Sequence, residues 1–362
     1  MKILIASDKF KGSMTAGEAC RAISRGVARA GDEIRIVPVA DGGDGMARAL
    51  TDAQSGEWIE MEVQGPLGEP VLAGYGLLDD GATAVIEMAE ASGLAILGSQ
   101  PLDPWRASTF GTGQLICDAM ERGVGKVLLG IGGSATNDGG TGMAKALGYR
   151  FFNGEGEELE ELPERLGELA RIEAPAGIES FPEVVVACDV TNPLLGPQGC
   201  TAVYGPQKGI IPSDSDAQES RLKQLVSVTD GESFAEEPGS GAAGGLGFGA
   251  KVFLKAKLVP GFDLVADVLN LPEAIEWADL VITGEGKIDG QSLQGKAPAG
   301  VAALARNYRK RVVAFCGLLG EGDFSTYFDQ IWEIDRGALS VEESMQQGDS
   351  LLEKTARKAE LW

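Results

Sequence analysis

Lys126-Val127-Leu128-Leu129-Gly130-Ile131-Gly132-Gly133-Ser134-Ala135-Thr136-Asn137-Asp138-Gly139-Gly140 is the stretch on which the fold turns. Residues 126–130 are an apolar run short enough for a buried strand, and a glycine-rich polar loop follows them. Residues 140–147 then have the composition of a helix. Strand, glycine loop and helix in that order are part of a βαβ unit and predict parallel pairing. The same order recurs at both ends of the chain. Residues 3–6 form an apolar strand, 16–30 an Ala-rich amphipathic helix and 34–39 a second strand. Residues 279–284 read as a strand, 298–308 as a helix and 312–315 as a strand, before a last helix.

Between these ends the pattern changes. Residues 58–63, 71–78 and 83–88 are strands separated by Gly-Pro and Asp-Asp-Gly turns, which predicts antiparallel hairpins. A further strand, 184–188, delivers Asp189 to its end. The chain has 362 residues, enough for two domains at about 150 residues each. The expected architecture is α/β in two domains. One is a discontinuous α/β/α domain built from residues 1–60 and 278–362, and the other an inserted mixed α/β domain, 61–277. The acidic run 155–168 and the polar tract 213–237 read as solvated surface.

Composition narrows the chemistry. With 31 Lys plus Arg against 54 Asp plus Glu, the net charge of −23 disfavours nucleic acid and anionic membranes as partners. Histidine is absent, which excludes His-based triads, His metal sites and His proton shuttles. The five cysteines include no C-x-x-C pair, so neither a disulfide framework nor a structural zinc site is expected. No apolar stretch reaches the ~18 residues of a membrane span, and no secretory leader is evident, so a soluble cytoplasmic protein is expected. The 52 glycines are roughly twice the usual share and must serve turns and close backbone approaches.

Several glycine-rich segments carry lysines and carboxylates where strands end, the usual place for ligands in α/β proteins. Ser7-Asp8-Lys9-Phe10-Lys11-Gly12-Ser13 follows the first strand, and Ala40-Asp41-Gly42-Gly43-Asp44-Gly45 follows the second. Each also reads as a plain turn. Residues 130–135 match G-x-G-x-x-A, the dinucleotide fingerprint, but Asp138 near the helix start would repel a pyrophosphate, so a phosphate or polar-substrate cradle fits better. Cys188-Asp189-Val190 suits a general base or a metal ligand, or equally a turn. Gly205-Pro206-Gln207-Lys208-Gly209 precedes the cluster Gly239-Ser240-Gly241-Ala242-Ala243-Gly244-Gly245-Leu246-Gly247, which reads as backbone lying against a ligand or another domain, or as a linker. In Gly284-Glu285-Gly286-Lys287-Ile288-Asp289-Gly290-Gln291-Ser292-Leu293-Gln294-Gly295-Lys296-Ala297-Pro298, residues 290–296 fit G-x-x-x-x-G-K. Ala297 stands where a Walker loop needs Ser or Thr, which argues against a true P-loop. Lys296 beside a helix with Pro298 at its first position still brings a cation and free N–H groups together. Lysines in glycine loops beside strand-end carboxylates, in so acidic a chain, point to anion handling with a divalent metal.

These segments, in this order, resemble the bacterial-type two-domain glycerate kinase family over nearly the whole chain. Ala6–Ser13 corresponds to the family's A-P-D-S-F-K-G-S, Ala40–Gly45 to A-D-G-G-x-G, and Gly130–Gly140 keeps G-I-G-G-S-A-T-N-D-G-G intact. The Cys188, Gly205, Gly241 and Thr283 segments complete the match. Ser7, Lys9, Lys287 and Gln294 depart from the commoner residues. The resemblance implies ATP- and Mg²⁺-dependent phosphorylation of D-glycerate, with 2-phosphoglycerate favoured, in a cleft between domains. Kinases of related hydroxy acids, an NAD-dependent oxidoreductase and a non-catalytic anion sensor are the alternatives.

Under this reading Lys11 and Lys208 neutralise the glycerate carboxylate and the transferring phosphoryl group. Asp189 is the expected proton acceptor, since histidine is absent and its apolar strand would desolvate it. Asp8, Asp41, Gly42, Gly43, Ser134, Asn137 and Asp138 are the expected substrate-binding residues. Gly132, Gly133, Gly284, Glu285, Lys287 and Lys296 are expected to bind ATP. Glu285 and Asp289 are the expected magnesium ligands, with Asp8 and Asp41 as further candidates.

Overall fold

The computed structural model describes residues 1–40, 42–43, 45–290, 296–334, 337 and 339–361. The strands, in chain order, are β1 (Lys2–Ser7), β2 (Glu33–Ile36), β3 (Glu57–Gln64), β4 (Pro70–Leu78), β5 (Thr83–Glu87), β6 (Lys126–Gly130), β7 (Arg150–Asn153), β8 (Leu169–Glu173), β9 (Glu183–Ala187), β10 (Lys257–Val259), β11 (Leu280–Ile288), β12 (Arg311–Leu319) and β13 (Gln330–Glu333). The chain forms two compact units, Met1–Asp41 with Phe262–Trp362, and Gly42–Gly261.

The first unit is a parallel sheet in the order β13-β12-β11-β1-β2. Its central strands β1, β11 and β12 carry buried runs facing both sides of the sheet, as cover by two helical layers demands, while the edge strands β2 and β13 are more polar. On one face Ile3, Ile5, Ile282 and Phe315 pack against Ala19, Cys20 and Ile23 of the helix Ala16–Val27 and Leu352 and Ala356 of the helix Gly348–Lys358. Each large apolar side chain buried this way contributes about 1.5–3 kcal/mol. Thr15 and Glu18 close a capping box that fixes where the first helix starts. The helices Leu271–Trp277 and Ala297–Asn307 cover the other face. From β1 the chain crosses to β2 on one side, while β11 to β13 build outward on the other. The junction of β1 and β11 is therefore the switch point at which such sheets hold ligands.

The second unit is a mixed sheet, β10-β9-β6-β5-β4-β3. β5, β6, β9 and β10 are parallel, and β3-β4-β5 are antiparallel as their hairpin turns predict. β7 and β8 form a separate hairpin. The unit has its own core, which includes Tyr75, Leu115, Leu129, Phe151 and Phe248.

Some elements differ from the sequence reading. The units divide at 41/42 and 261/262, rather than near 60 and 277. The helix Met46–Ala53 packs on β4 and β5, and Glu87 on β5 accepts hydrogen bonds from the Gly45 and Ala47 N–H groups at 2.8 and 3.0 Å. Residues 45–60 thus belong with the second sheet. Leu271–Trp277 packs on β1 instead, and Phe262 lies against Gly300. The polar tract 213–237 is not simply solvated surface. It contains the helix Ser215–Ser227, whose Gln218, Arg221, Leu222, Leu225 and Val226 are buried. Among the described residues no helix is long and apolar enough to cross a membrane.

Candidate active site

In the second unit a cavity of about 390 Å³ opens at the carboxyl ends of the neighbouring strands β6 and β9. Gly132, Gly133 and Ser134 line it from the loop after β6, and Asp189 from the segment after β9. Gly42, Gly43 and Lys208 complete that set. Lys208 lies on the 3₁₀ turn Pro206–Lys208 and is only 2% exposed. Its Nζ donates to the Thr136 carbonyl at 2.7 Å. Burial pushes its pKa down to about 8, against the opposing pull of Cys200 and Asp138. This is a buried cation with one side-chain hydrogen bond, to a neutral oxygen, among the described residues, poised beside the cavity. Asp189 is exposed, two residues beyond β9, and its Oδ1 accepts from the Gly261 N–H at 2.8 Å. The desolvation expected from its strand is absent, because the strand ends before it.

Asn137 and Asp138 point inward, contrary to the expectation that they meet substrate hydroxyls. The Asp138 carboxylate is fully buried and accepts from Thr109 N–H and Oγ1 at 2.8 and 2.7 Å, Gly140 N–H at 3.0 Å and Gly142 N–H at 3.2 Å. It satisfies the orphan donors at the start of the helix Thr141–Ala146. Asn137 donates to Thr201 Oγ1 at 3.2 Å and to Gln218 Oε1 at 3.3 Å. The G-x-G-x-x-A match loses its dinucleotide meaning here. Its residues make a bridge between Ser134 and Gly93, and the helix begins only at Thr141.

The downstream glycine cluster lies against this loop, and its Ala242 and Ala243 line the cavity. Gly244 has φ +65°, and a Cβ there would sit 1.9 Å from the Thr136 carbonyl oxygen. At Gly249 a Cβ would be 2.4 Å from the Gly139 oxygen. The two glycine segments are backbone packed on backbone, which positions the cavity lip.

In the first unit the expected residues gather around the β1–β11 switch point. Asp8 is buried, donates its N–H to the Gly284 carbonyl at 2.9 Å, and accepts from the Lys9 N–H at 2.6 Å. β11 does not stop at Gly284 but runs to Ile288 beside β12. Glu285 and Lys287 are thus strand residues sharing one face, and Gly284 lets the β12 backbone approach, since a Cβ would lie 2.4 Å from the Phe315 oxygen. Glu285 is buried, with Lys296 Nζ at 3.6 Å, and Lys287 pairs with Asp289 at 2.8 Å. Lys296 is the N-cap of the helix Ala297–Asn307, so Pro298 is its second residue rather than its first. Lys11 is exposed on the turn closed by the Phe10–Met14 bridge. Asp41, Asp44, Gln294 and Gly295 lie outside the described residues.

Among the described residues no three Asp, Glu or Cys side chains converge as a metal cage. Glu285 and Asp289 are each paired with a lysine, Lys296 and Lys287. Sequence reasoning missed Glu87, whose signal was a lone charge in an apolar strand. It also missed Gln218 and Arg221, which share a helical face with Leu222 and Leu225.

The family model described as the glycerate kinase family matches residues 3–361. The glycerate kinase of Halalkalibacterium halodurans is 46% identical across 98% of this chain and 96% of its own. The glycerate 2-kinase of Escherichia coli K12 is 42% identical, covering 88% and 86%. A solved chain assigned as glycerate kinase 2 of Salmonella typhimurium LT2 superimposes with TM-score 0.90 at 38% identity, covering 99% of this chain and 96% of that one. With the family model matching nearly end to end and the loop after β6 lining, through residues 131–134, a cavity that a buried lysine also lines, this kinase belongs to the glycerate kinase family.

Proposed function

We propose that this kinase transfers the terminal phosphoryl group of ATP to D-glycerate, giving 2-phosphoglycerate. The observation that carries the reading is Lys208, a cation held out of water at a cavity of about 390 Å³ that has room for a small organic acid and more, in a protein of net charge −23. The name of the Escherichia coli relative supports the 2-position.

Phosphoryl transfer asks chiefly for alignment and charge neutralisation. Lys208, with Lys11 from the first unit, neutralises the glycerate carboxylate and the phosphoryl group in transit. Gly132 and Gly133 offer backbone to phosphate oxygens, with Gly42, Gly43 and Ser134 lining the glycerate side. Lys296, Lys287 and the N-terminus of the helix Ala297–Asn307 receive the ATP phosphates. Glu285 and Asp289 would hold a magnesium ion, which supplies further neutralisation of phosphate charge when bound. Asp189 accepts the proton of the attacking hydroxyl. Asp189→Asn lowers kcat at least about hundredfold with the ATP Kd unchanged, and an equal kcat would remove Asp189 from this role.

Purified protein is incubated with ATP, Mg²⁺ and D-glycerate, ADP release is followed against a no-glycerate control, and the product is identified by phosphorus NMR. Glycerate-dependent ADP with 2-phosphoglycerate supports the reading. No ADP above control moves the substrate to another hydroxy acid, and a 3-phosphoglycerate product corrects the regiochemistry.

A further inference from the structure

Two buried polar side chains on the helix Ser215–Ser227 have no part in the reaction as described, yet they are linked through Asn137 and Thr136 to Lys208, which lines the cavity. Gln218 is fully buried and Arg221 is 5% exposed. Arg221 Nη1 donates to Gln218 Oε1 at 3.1 Å. The same oxygen accepts from Asn137 Nδ2 at 3.3 Å. Arg221 is anchored in turn by the carbonyls of Pro163 and Trp105, and by the Trp105 ring 4.8 Å from its guanidinium. Asn137 directly follows Thr136, whose carbonyl is the hydrogen-bond acceptor of Lys208.

A buried guanidinium is costly to keep, and here burial pushes its pKa down to about 10. Its Nε, and the Nε2 of Gln218, have no hydrogen-bond partner among the described residues. A network left partly unsatisfied is a poor way to gain stability. What it does provide is a fixed position for one oxygen, Gln218 Oε1, gripped from both sides.

We propose that Gln218 and Arg221 are positioning residues for phosphoryl transfer: Arg221 holds Gln218, Gln218 holds Asn137, and the Thr136 carbonyl is thereby kept where it fixes Lys208. The proposal rests on the reading of Lys208 as the cation that meets the substrate. The titratable groups facing Lys208 are Cys200, from the helix Cys200–Tyr204, and Asp138, from the glycine loop. Cys200 Sγ itself donates to Asn137 Oδ1 at 3.6 Å, so a shift in the titration of Lys208 on changing Gln218 reports on the Asn137–Thr136 segment that carries both of these contacts.

The test compares Gln218→Met, which removes the shared acceptor, with Gln218→Glu, which keeps an oxygen for both Asn137 and Arg221, replaces an NH₂ that bonds nothing among the described residues, and adds a carboxylate charge beside the Arg221 guanidinium. Gln218→Met lowers kcat/KM for glycerate roughly ten- to hundredfold and moves the alkaline limb of the pH profile to lower pH. Gln218→Glu restores kcat/KM and brings the alkaline limb back to its original pH or above it, because an added carboxylate favours the ammonium form. On a Lys208→Met background Gln218→Met has no further effect. A full additional loss on that background, or a Gln218→Glu variant as impaired as Gln218→Met, overturns the proposal and leaves a merely structural network. Near-normal activity in Lys208→Met would instead overturn the reading of the site on which the proposal stands. Should Gln218→Met fail to fold, Arg221→Lys, which keeps the charge and loses the fork, must show the same alkaline shift; an unchanged profile there overturns the proposal as well.

Discussion

At Lys208 the ammonium group has left water for one carbonyl oxygen, and its pKa falls from 10.5 to about 8. At about 1.4 kcal/mol per unit this is a cost of about 3 kcal/mol at neutral pH. The sign is fixed by linkage. Between about pH 8 and 10.5 the unfolded chain still binds the lysine proton and the folded chain does not, so folding stability rises with pH across that window. Activity that needs the ammonium falls across the same range. Lys208→Met accordingly loses kcat/KM at least about hundredfold. It gains about 1–2 kcal/mol in urea unfolding at pH 7, part of the relief being lost to the orphaned Thr136 carbonyl. Equal or lower stability at pH 7 would show the ammonium to be well solvated or paired. None of this was legible in the sequence, where Lys208 was one lysine among several in glycine loops. Burial is set by Cys200, Thr136 and the glycine loop, which the chain brings together from separate segments.

At the scale of elements, the strands were readable because apolar runs bounded by Gly, Pro and Asp leave few alternatives, as in β3, β4 and β6. The end of β11 was not, since Glu285 and Lys287 look like loop residues until β12 supplies their ladder. The helix Ser215–Ser227 was hidden by its charged residues, because Arg221 is buried by carbonyl oxygens that sequence cannot place. The role of the glycines was legible as close approach, though not what they approach. Gly244 shows the constraint most sharply, with a positive φ and no room for a methyl group. Gly244→Ala loses at least about 2–3 kcal/mol of stability in urea unfolding. Gly154→Ala, where a Cβ meets nothing within 4 Å, is the neutral control. Equal midpoints for the two variants would mean that the two glycine segments part without cost.

For the whole molecule, the two cores are separate in composition. The first unit draws its side chains from both ends of the chain, whereas the second is one continuous segment, Gly42–Gly261, with its own sheet and hairpin. Residues 42–261, expressed alone, should unfold cooperatively in urea and keep dispersed amide NMR signals. A collapsed spectrum would show that its core is completed by the remaining chain. The α/β alternation exposed the insertion in the sequence, but its limits were displaced because composition cannot say on which sheet a flanking helix will settle.

The ends of that segment touch. A Cβ on Gly42 would lie 2.4 Å from the Gly261 Cα. Entry and exit through one doorway make the segment a cassette, joinable end to end by a one- or two-residue bridge. It can then be reopened at a tip such as Gly81, where a side chain would meet nothing within 4 Å. In genetic terms, exchange at a single paired breakpoint can trade one such cassette for another while the parallel sheet of the first unit keeps its strand order.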